Sequence, residues 1–283
     1  MGKSVALLGN EPQLELADVL AERGYAVTQI TPADLPAQLI ADRSDVVFNA
    51  LTTAAGRDGS VQGFCELLGI AYTHSGVLAS ALAANRHQAK IVLRAAGLPV
   101  TDHLIVGRAE AARVHQMQPP YVVKPVPAGT GEAPILVGRA DGPPGQLLRE
   151  GWRGGEEVMI ERFIPGRSLH VAVMGGIALG VSETVIRENG PGLNTPAAIS
   201  PNIYEKLQKM GLKAHEALGC RGVTRTSFRY NDQANGESGL VCLGIDTQPG
   251  LSPEAPVPAQ ALYAGHPLVE LVAWMVEDAS CNR

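Results

Sequence analysis

Short apolar runs separated by stretches of helical period leave the N-terminal end of this chain few ways to fold. Residues 4–9 (Ser-Val-Ala-Leu-Leu-Gly) read as a buried strand, and residues 25–30 and 45–51 as a second and a third. Between the first two, Leu14, Leu16, Val19 and Leu20 give a helix its apolar face. Asn10 reads as the N-cap of that helix, Pro12 as part of its first turn and Gly24 as its end. Strands that alternate with helices pair in parallel and bury both faces of the sheet. The first module is therefore an α/β unit of Rossmann-like layout. It carries no Gly-x-Gly-x-x-Gly, which argues against a dinucleotide site.

Composition excludes several partners. A hydrophobic fraction of 45% against a charged fraction of 18% belongs to a chain with real cores, and 283 residues suffice for two or three modules. The net charge of −5 without any Lys/Arg cluster argues against nucleic acid. No apolar run approaches the roughly 20 residues that span a bilayer. Met1-Gly2-Lys3 leads directly into a strand, with no leader-like pattern. Cys65, Cys220, Cys242 and Cys281 are scattered, as expected of thiols in a cytoplasmic protein rather than of a disulfide or zinc framework.

Further along, residues 77–96 read as one Ala-rich helix broken by Gly97-Leu98-Pro99. Residues 121–125 form a strand ending at Lys124-Pro125, followed by the loop Val126-Pro-Ala-Gly-Thr-Gly131 and a strand at 135–137. Backbone amides of such a loop can cradle a polyphosphate that the lysine neutralises. A solvated lysine on an exposed hairpin is the plainer alternative. A strand running from Glu157 to the Pro165-Gly166 turn is expected, with further strands at 169–174 and 177–186, a mobile Gly/Pro/Asn-rich loop at 188–200, and a helix at 201–219. Strands at 220–230 and 240–246 should pair, and residues 259–279 should be helical.

Two stretches carry a family resemblance. Residues 54–86 match Gly-Glu-Asp-Gly-x-x-Gln-Gly, Tyr-Thr-Gly-Ser-Gly and Ser-Ala-Leu at Asp58, Gly59, Gln62, Gly63, Tyr72, Thr73, Ser75, Gly76, Ser80, Ala81 and Leu82. Residues 240–252 follow the frame Leu-Glu-Ala-Asn-Thr-x-Pro-Gly, with Gly244 at the glutamate and Asp246 at the asparagine. In both the chain resembles D-alanine–D-alanine ligases of the ATP-grasp superfamily. The resemblance implies an ATP-grasp fold behind the Rossmann-like (preATP-grasp) parallel-sheet domain. The expected division is 1–85, 86–164 for the central subdomain and 165–283 for the C-terminal one. It also implies a cytoplasmic homodimer acting on ATP and a small amino acid in peptidoglycan-precursor synthesis, with Mg²⁺ as the metal.

Carried over residue by residue, the resemblance places Lys124 and Arg86 on the ATP phosphates. It places Glu161, Arg162 and Ile164 at the adenine hinge, and Arg225 on the oxyanion of the reaction. Asp246 is the one remaining metal carboxylate. Gly250 belongs to the amino-acid site, where either Glu11 or Glu15 stands in for the acid that grips the substrate ammonium. Two plain structural alternatives compete: Arg225 pairing with Asp246, and Glu161 as a strand-end surface acid. Departures are many. Ser227 and Gly244 replace metal-binding acids, Arg86 replaces a lysine, Ser168 replaces the ribose acid, and residues 187–194 lack the lid tyrosine and lysine. One Asp and one hydroxyl make a poor Mg²⁺ site. The expectation is thus a catalytically impaired, nucleotide-binding or regulatory homologue. The alternative is an active carboxylate–amine ligase of shifted substrate or metal use, with Asp246 and Glu183 sharing the ion.

Overall fold

A computed structural model describes residues 2–10, 13–41, 43–188, 190–234 and 239–281. Three sheets follow one another along the chain. Strands β1 (Ser4–Leu8), β2 (Ala26–Ile30), β3 (Val46–Asn49) and β4 (Ala71–Tyr72) pair in parallel in the order β2-β1-β3-β4. Strands β5 (His103–Gly107), β6 (Tyr121–Pro125), β7 (Ile135–Val137) and β8 (Glu157–Arg162) form an antiparallel sheet ordered β5-β8-β6-β7. The last sheet holds β9 (Arg167–Met174), β10 (Ile177–Arg187), β11 (Gly190–Asn194), β12 (Val223–Tyr230) and β13 (Leu240–Asp246). Its order is β11-β10-β9-β12-β13, antiparallel throughout, with β12 and β13 paired as expected.

Four expectations need correction. The first helix runs Leu14–Glu22 with Gln13 at its N-cap, while the Asn10 side-chain amide donates to Thr52 Oγ1 at 2.9 Å and Pro12 lies outside the described residues. Residues 77–96 are two helices, Val77–Ala84 and Arg86–Ala95. Asn85 splits them: its backbone is extended and its side chain accepts from the amides of His87 and Gln88, capping the second helix. Part of the expected loop 188–200 is β11, held against β10 in the register Thr184↔Leu193. The C-terminal helix is likewise two, Pro256–Tyr263 and Leu268–Asp278, separated by Gly265-His266-Pro267.

Burial explains the layering. Val5, Leu7, Val46 and Phe48 on one face of the parallel sheet pack with Leu271, Val272, Met275 and Val276 of the last helix, so both ends of the chain share a core. The opposite face of the last sheet packs Leu169, Val171 and Val173 against Leu207, Met210 and Ala214 of the helix Pro201–Ala217 and Leu93 of Arg86–Ala95. The central sheet keeps its own cluster around Tyr121, Val123, Val158 and Ile160. Among the described residues no helix is long and apolar enough to cross a membrane. No disulfide joins the cysteines; Cys65, Cys220 and Cys242 are buried thiols.

Candidate active site

A cavity of about 290 Å³ opens between the parallel-sheet unit, the central sheet and the strand pair β12–β13. Among the described residues four cations line it (Arg57, Arg86, Lys124 and Arg225) against one carboxylate, Asp246. Gly244 and Ser227 are also in the wall, as is Gly129 of the loop after β6. The sequence thus brings together Lys124, Arg86, Arg225 and Asp246.

Asp246 sits at the end of β13, directly across from Arg225 on β12. Its Oδ1 accepts from Arg57 Nη1 at 3.0 Å and from the Gln248 backbone amide at 3.0 Å. Its Oδ2 accepts from Arg57 Nη1 at 3.1 Å and from Arg225 Nη2 at 3.2 Å. An ionised carboxylate offers about four lone-pair directions; three donor atoms approach them here, with Arg57 Nη1 shared between the two oxygens. Sequence reasoning passed over Arg57. It ends the short helix Ala54–Arg57, held in place where Asn49 Nδ2 and Gln62 Nε2 both donate to the Gly56 carbonyl. A side chain at position 56 would drive its Cβ to 2.5 Å from Leu51 Cβ, so the glycine lets this segment reach the cleft. The visible signal was a charge reversal: Arg57 stands where the resembling motif writes glutamate.

Glu161 is no surface acid. It is 2% exposed, with Lys90 Nζ 2.9 Å from Oε2 and Lys124 Nζ against Oε1. Thr101 completes the group: Lys90 Nζ donates to its hydroxyl at 2.6 Å, and that hydroxyl donates to Glu161 at 2.7 Å. Burial alone would raise the Glu161 pKa, but Lys124 and Lys90 together hold it at about 2. Burial pulls the Lys124 ammonium below its ordinary value, with Glu161 opposing. Lys90 was missed as well. It lies between Ala89 and Leu93 on the buried stripe of its helix, and a lysine on an apolar stripe is itself a signal of a buried partner.

Arg86 begins the helix that Asn85 caps. Its Nη1 donates to the carbonyls of Pro125 (2.9 Å) and Pro127 (2.6 Å), and its amide donates to Val126. With the Ala128 amide donating to Ala84, these bonds pin the base of the glycine loop to the helix break. Gly129, at φ +74°, would put a Cβ 3.2 Å from Ala54 Cα, so the loop lies against the Arg57 segment. Arg162 and Ile164 do not line this cavity. The Arg162 side chain borders a separate hollow of about 500 Å³ beside Arg139 and Phe163, and the Ile164 carbonyl accepts from Arg229 Nε at 3.0 Å.

A second cavity of about 450 Å³ adjoins the first, with Arg57 in both walls. It brings together Glu15, Asn49, His74, Gln248 and Gly250. Glu11 lies outside the described residues. Ser227 meets His170, whose Nδ1 is 3.2 Å from its hydroxyl and whose Nε2 is 2.9 Å from Thr184 Oγ1. Burial, with Arg225 beside it, pushes the His170 imidazole down to about 4.

Glu183 cannot join Asp246 at an ion. Glu183 is in register with Leu169 and so with Phe228, three residues along β12 from Arg225, the partner of Asp246. An odd offset puts the two acids on opposite faces of the sheet, and Arg167 Nε holds Glu183 at 2.7 Å. Among the described residues no three His, Cys, Asp or Glu side chains group as metal ligands. A divalent cation here would face guanidinium groups and a carboxylate already paired with two of them. This donor set does not fit Mg²⁺, which demands several free oxygens in octahedral array.

Comparison with known proteins follows the same lines. A family model described as "D-ala D-ala ligase C-terminus" matches residues 92–277. A D-alanine–D-alanine ligase from Sinorhizobium fredii is 47% identical over 281 residues, covering 94% of this chain and 91% of that protein. The chain belongs to the D-alanine–D-alanine ligase family. Another ligase of the family, from Methylobacterium radiotolerans, is 46% identical with both chains covered in full. That alignment runs over 308 positions against the 283 residues of this chain, so the relative carries stretches that this one lacks. Solved structures of the Bacillus anthracis D-alanine–D-alanine ligase superpose with TM-scores of 0.83 and, for the complex with ATP, 0.81. They cover 98% of this chain at 22% and 21% identity and establish the ATP-grasp fold.

Proposed function

We propose that this family member binds ATP in the cationic cleft, with Lys124, Arg86 and Arg225 toward the phosphates and the adenine at the hinge after β8, where the family resemblance puts Glu161, Arg162 and Ile164, although none of the three lines the cavity itself. A small amino acid occupies the adjoining cavity at Glu15 and Gly250. The chain divides functionally at 1–85, 86–164 and 165–283, as a homodimer, and the cleft lies where these units meet. Its ligase turnover is impaired. The observation that carries this is the state of Asp246: the one acid lining the cleft among the described residues has both oxygens in contact with Arg57, Arg225 or the Gln248 amide. ATP-dependent ligation passes through charge on a transferring phosphoryl group, and metal stabilisation of that charge contributes several kcal/mol. At about 1.4 kcal/mol per tenfold, its loss slows the chemical step by on the order of 10³ or more.

The test measures ATP binding by calorimetry and ADP release with D-alanine and Mg²⁺ in a coupled assay. Binding with turnover at least about 10³ below an active ligase of the family is expected. Robust Mg²⁺-dependent turnover that Asp246→Ala abolishes would refute impairment and establish the active-ligase alternative.

A further inference from the structure

We propose that Arg57 and Arg225 supply, in place of a divalent cation, the positive charge that holds the polyphosphate chain, and that Asp246 occupies both guanidinium groups until phosphate replaces it. This rests on the nucleotide-binding function proposed above and assigns how that site handles charge.

Three observations converge. First, the two exchanges that distinguish this cleft from the resembling motifs, arginine for glutamate at 57 and aspartate for asparagine at 246, have opposite sign and meet in space at 3.0 Å. A glutamate at 57 would set two carboxylates against each other, so each exchange makes sense with the other. Second, Arg57 Nε and Arg225 Nε are buried and find no acceptor. Both side chains line the cavity, and a buried guanidinium N–H without an acceptor costs free energy that an incoming phosphate oxygen recovers. Third, Asp246 is engaged by two guanidinium groups and a backbone amide, while Ser227 is turned to His170 and position 244 has no side chain.

The geometry permits exchange without rebuilding the site. Arg57 and Asp246 are 22% and 15% exposed along their side chains, and Arg225 is 29% exposed, so the triad lies at the cavity surface rather than in a sealed core. Arg57 also reaches the second cavity, so the same guanidinium borders the junction where a phosphoryl group and an amino-acid carboxylate would meet. Metal-free ATP carries more negative charge than its Mg²⁺ complex. A cleft with four cations and one displaceable carboxylate is matched to the former.

Calorimetric titration with ATP, in EDTA and in excess Mg²⁺, tests this on the whole chain and on Arg57→Gln, Arg57→Lys and Asp246→Asn. The wild-type chain is expected to bind in EDTA within a few-fold of its affinity in Mg²⁺. Arg57→Gln should weaken binding in EDTA about tenfold or more, as loss of a charge-assisted contact does, with Arg57→Lys retaining most of it. Asp246→Asn removes the competing anion and should bind as tightly as wild type in EDTA or more tightly. Binding that requires Mg²⁺, binding indifferent to Arg57→Gln, or loss of binding in Asp246→Asn would each overturn the assignment. If Arg57→Gln fails to fold, the sign of the Asp246→Asn change decides alone. Absence of ATP binding under both conditions would instead overturn nucleotide binding itself. Inorganic triphosphate binding as well as ATP supports recognition of the phosphate chain by these arginines.

Discussion

His170 shows how a single side chain in this cleft couples chemistry to stability. Its imidazole, beside Arg225 and between the hydroxyls of Ser227 and Thr184, is held down at about 4 by burial and by that arginine. The unfolded chain takes up the proton near the ordinary value of about 6.5. Stability contributed by the neutral imidazole is therefore intact above about pH 6.5 and falls away toward pH 4, by up to about 3 kcal/mol. Urea unfolding of wild type and His170→Asn at about pH 7.5 and about pH 4.5 checks this. The variant should lose less stability on acidification, and equal losses would contradict the assignment. At this scale the sequence was informative where a residue keeps a family register: Lys124, Arg225 and Asp246 do share one cavity. Arg57 and Lys90 escaped because their partners lie far along the chain. Asp246 follows Arg57 by 189 positions, and no local pattern announces that pairing. The plain alternative for Arg225 also holds, since it does pair with Asp246, whereas Glu161 is the opposite of a surface acid.

Among the elements, the helix break at Asn85 matters most, because the second helix carries Arg86 at its start and Lys90 one turn later. Alanine-rich composition on both sides hides the interruption, since propensity alone favours a continuous helix. Two contacts override it: the Asn85 side chain accepts from the amides of His87 and Gln88, and the 85–86 backbone pairs with the loop at Val126 and Pro127. Asn85→Ala should therefore cost about 1 kcal/mol, the usual worth of an N-cap, while Asn85→Gly costs only a few tenths. Denaturant midpoints of the two variants measure it, and an alanine variant as stable as wild type would show that the cap is idle. The strand β11 escaped for a related reason. Gly190, Pro191 and Gly192 suggest a loop by composition, yet pairing with β10 supplies the ladder that their intrinsic preferences do not. The parallel sheet and the β12–β13 pair were legible because their apolar periodicity agrees with their tertiary burial.

Across the whole molecule, the apolar clusters are not one core. The central sheet packs around Tyr121, Val123, Leu147 and Ile160 with Trp152 against it. Leu271, Val272 and Met275 join the parallel sheet to β9 and β12, with Trp274 packed on that cluster. Between the central sheet and the rest, the links among the described residues include the buried ion pair Lys90–Glu161 and the bonds from Arg86 and Ala128 at the loop base, and buried ion pairs add little net stability compared with apolar contact. Among the described residues no apolar cluster joins the central sheet to the other two sheets. The clusters should accordingly unfold with separate midpoints. Leu271 is fully buried, so Leu271→Ala should destabilise its own cluster by about 2–5 kcal/mol. Urea unfolding followed in single-tryptophan backgrounds, Trp152→Phe and Trp274→Phe, separates the two signals. With Leu271→Ala, the Trp274 transition should move to lower urea while the Trp152 transition stays near its original midpoint. An equal shift of both signals would mean that Lys90, Glu161 and Lys124 bind the sheets into one cooperative unit, and the cleft would then have to admit its ligand without relative movement of its walls.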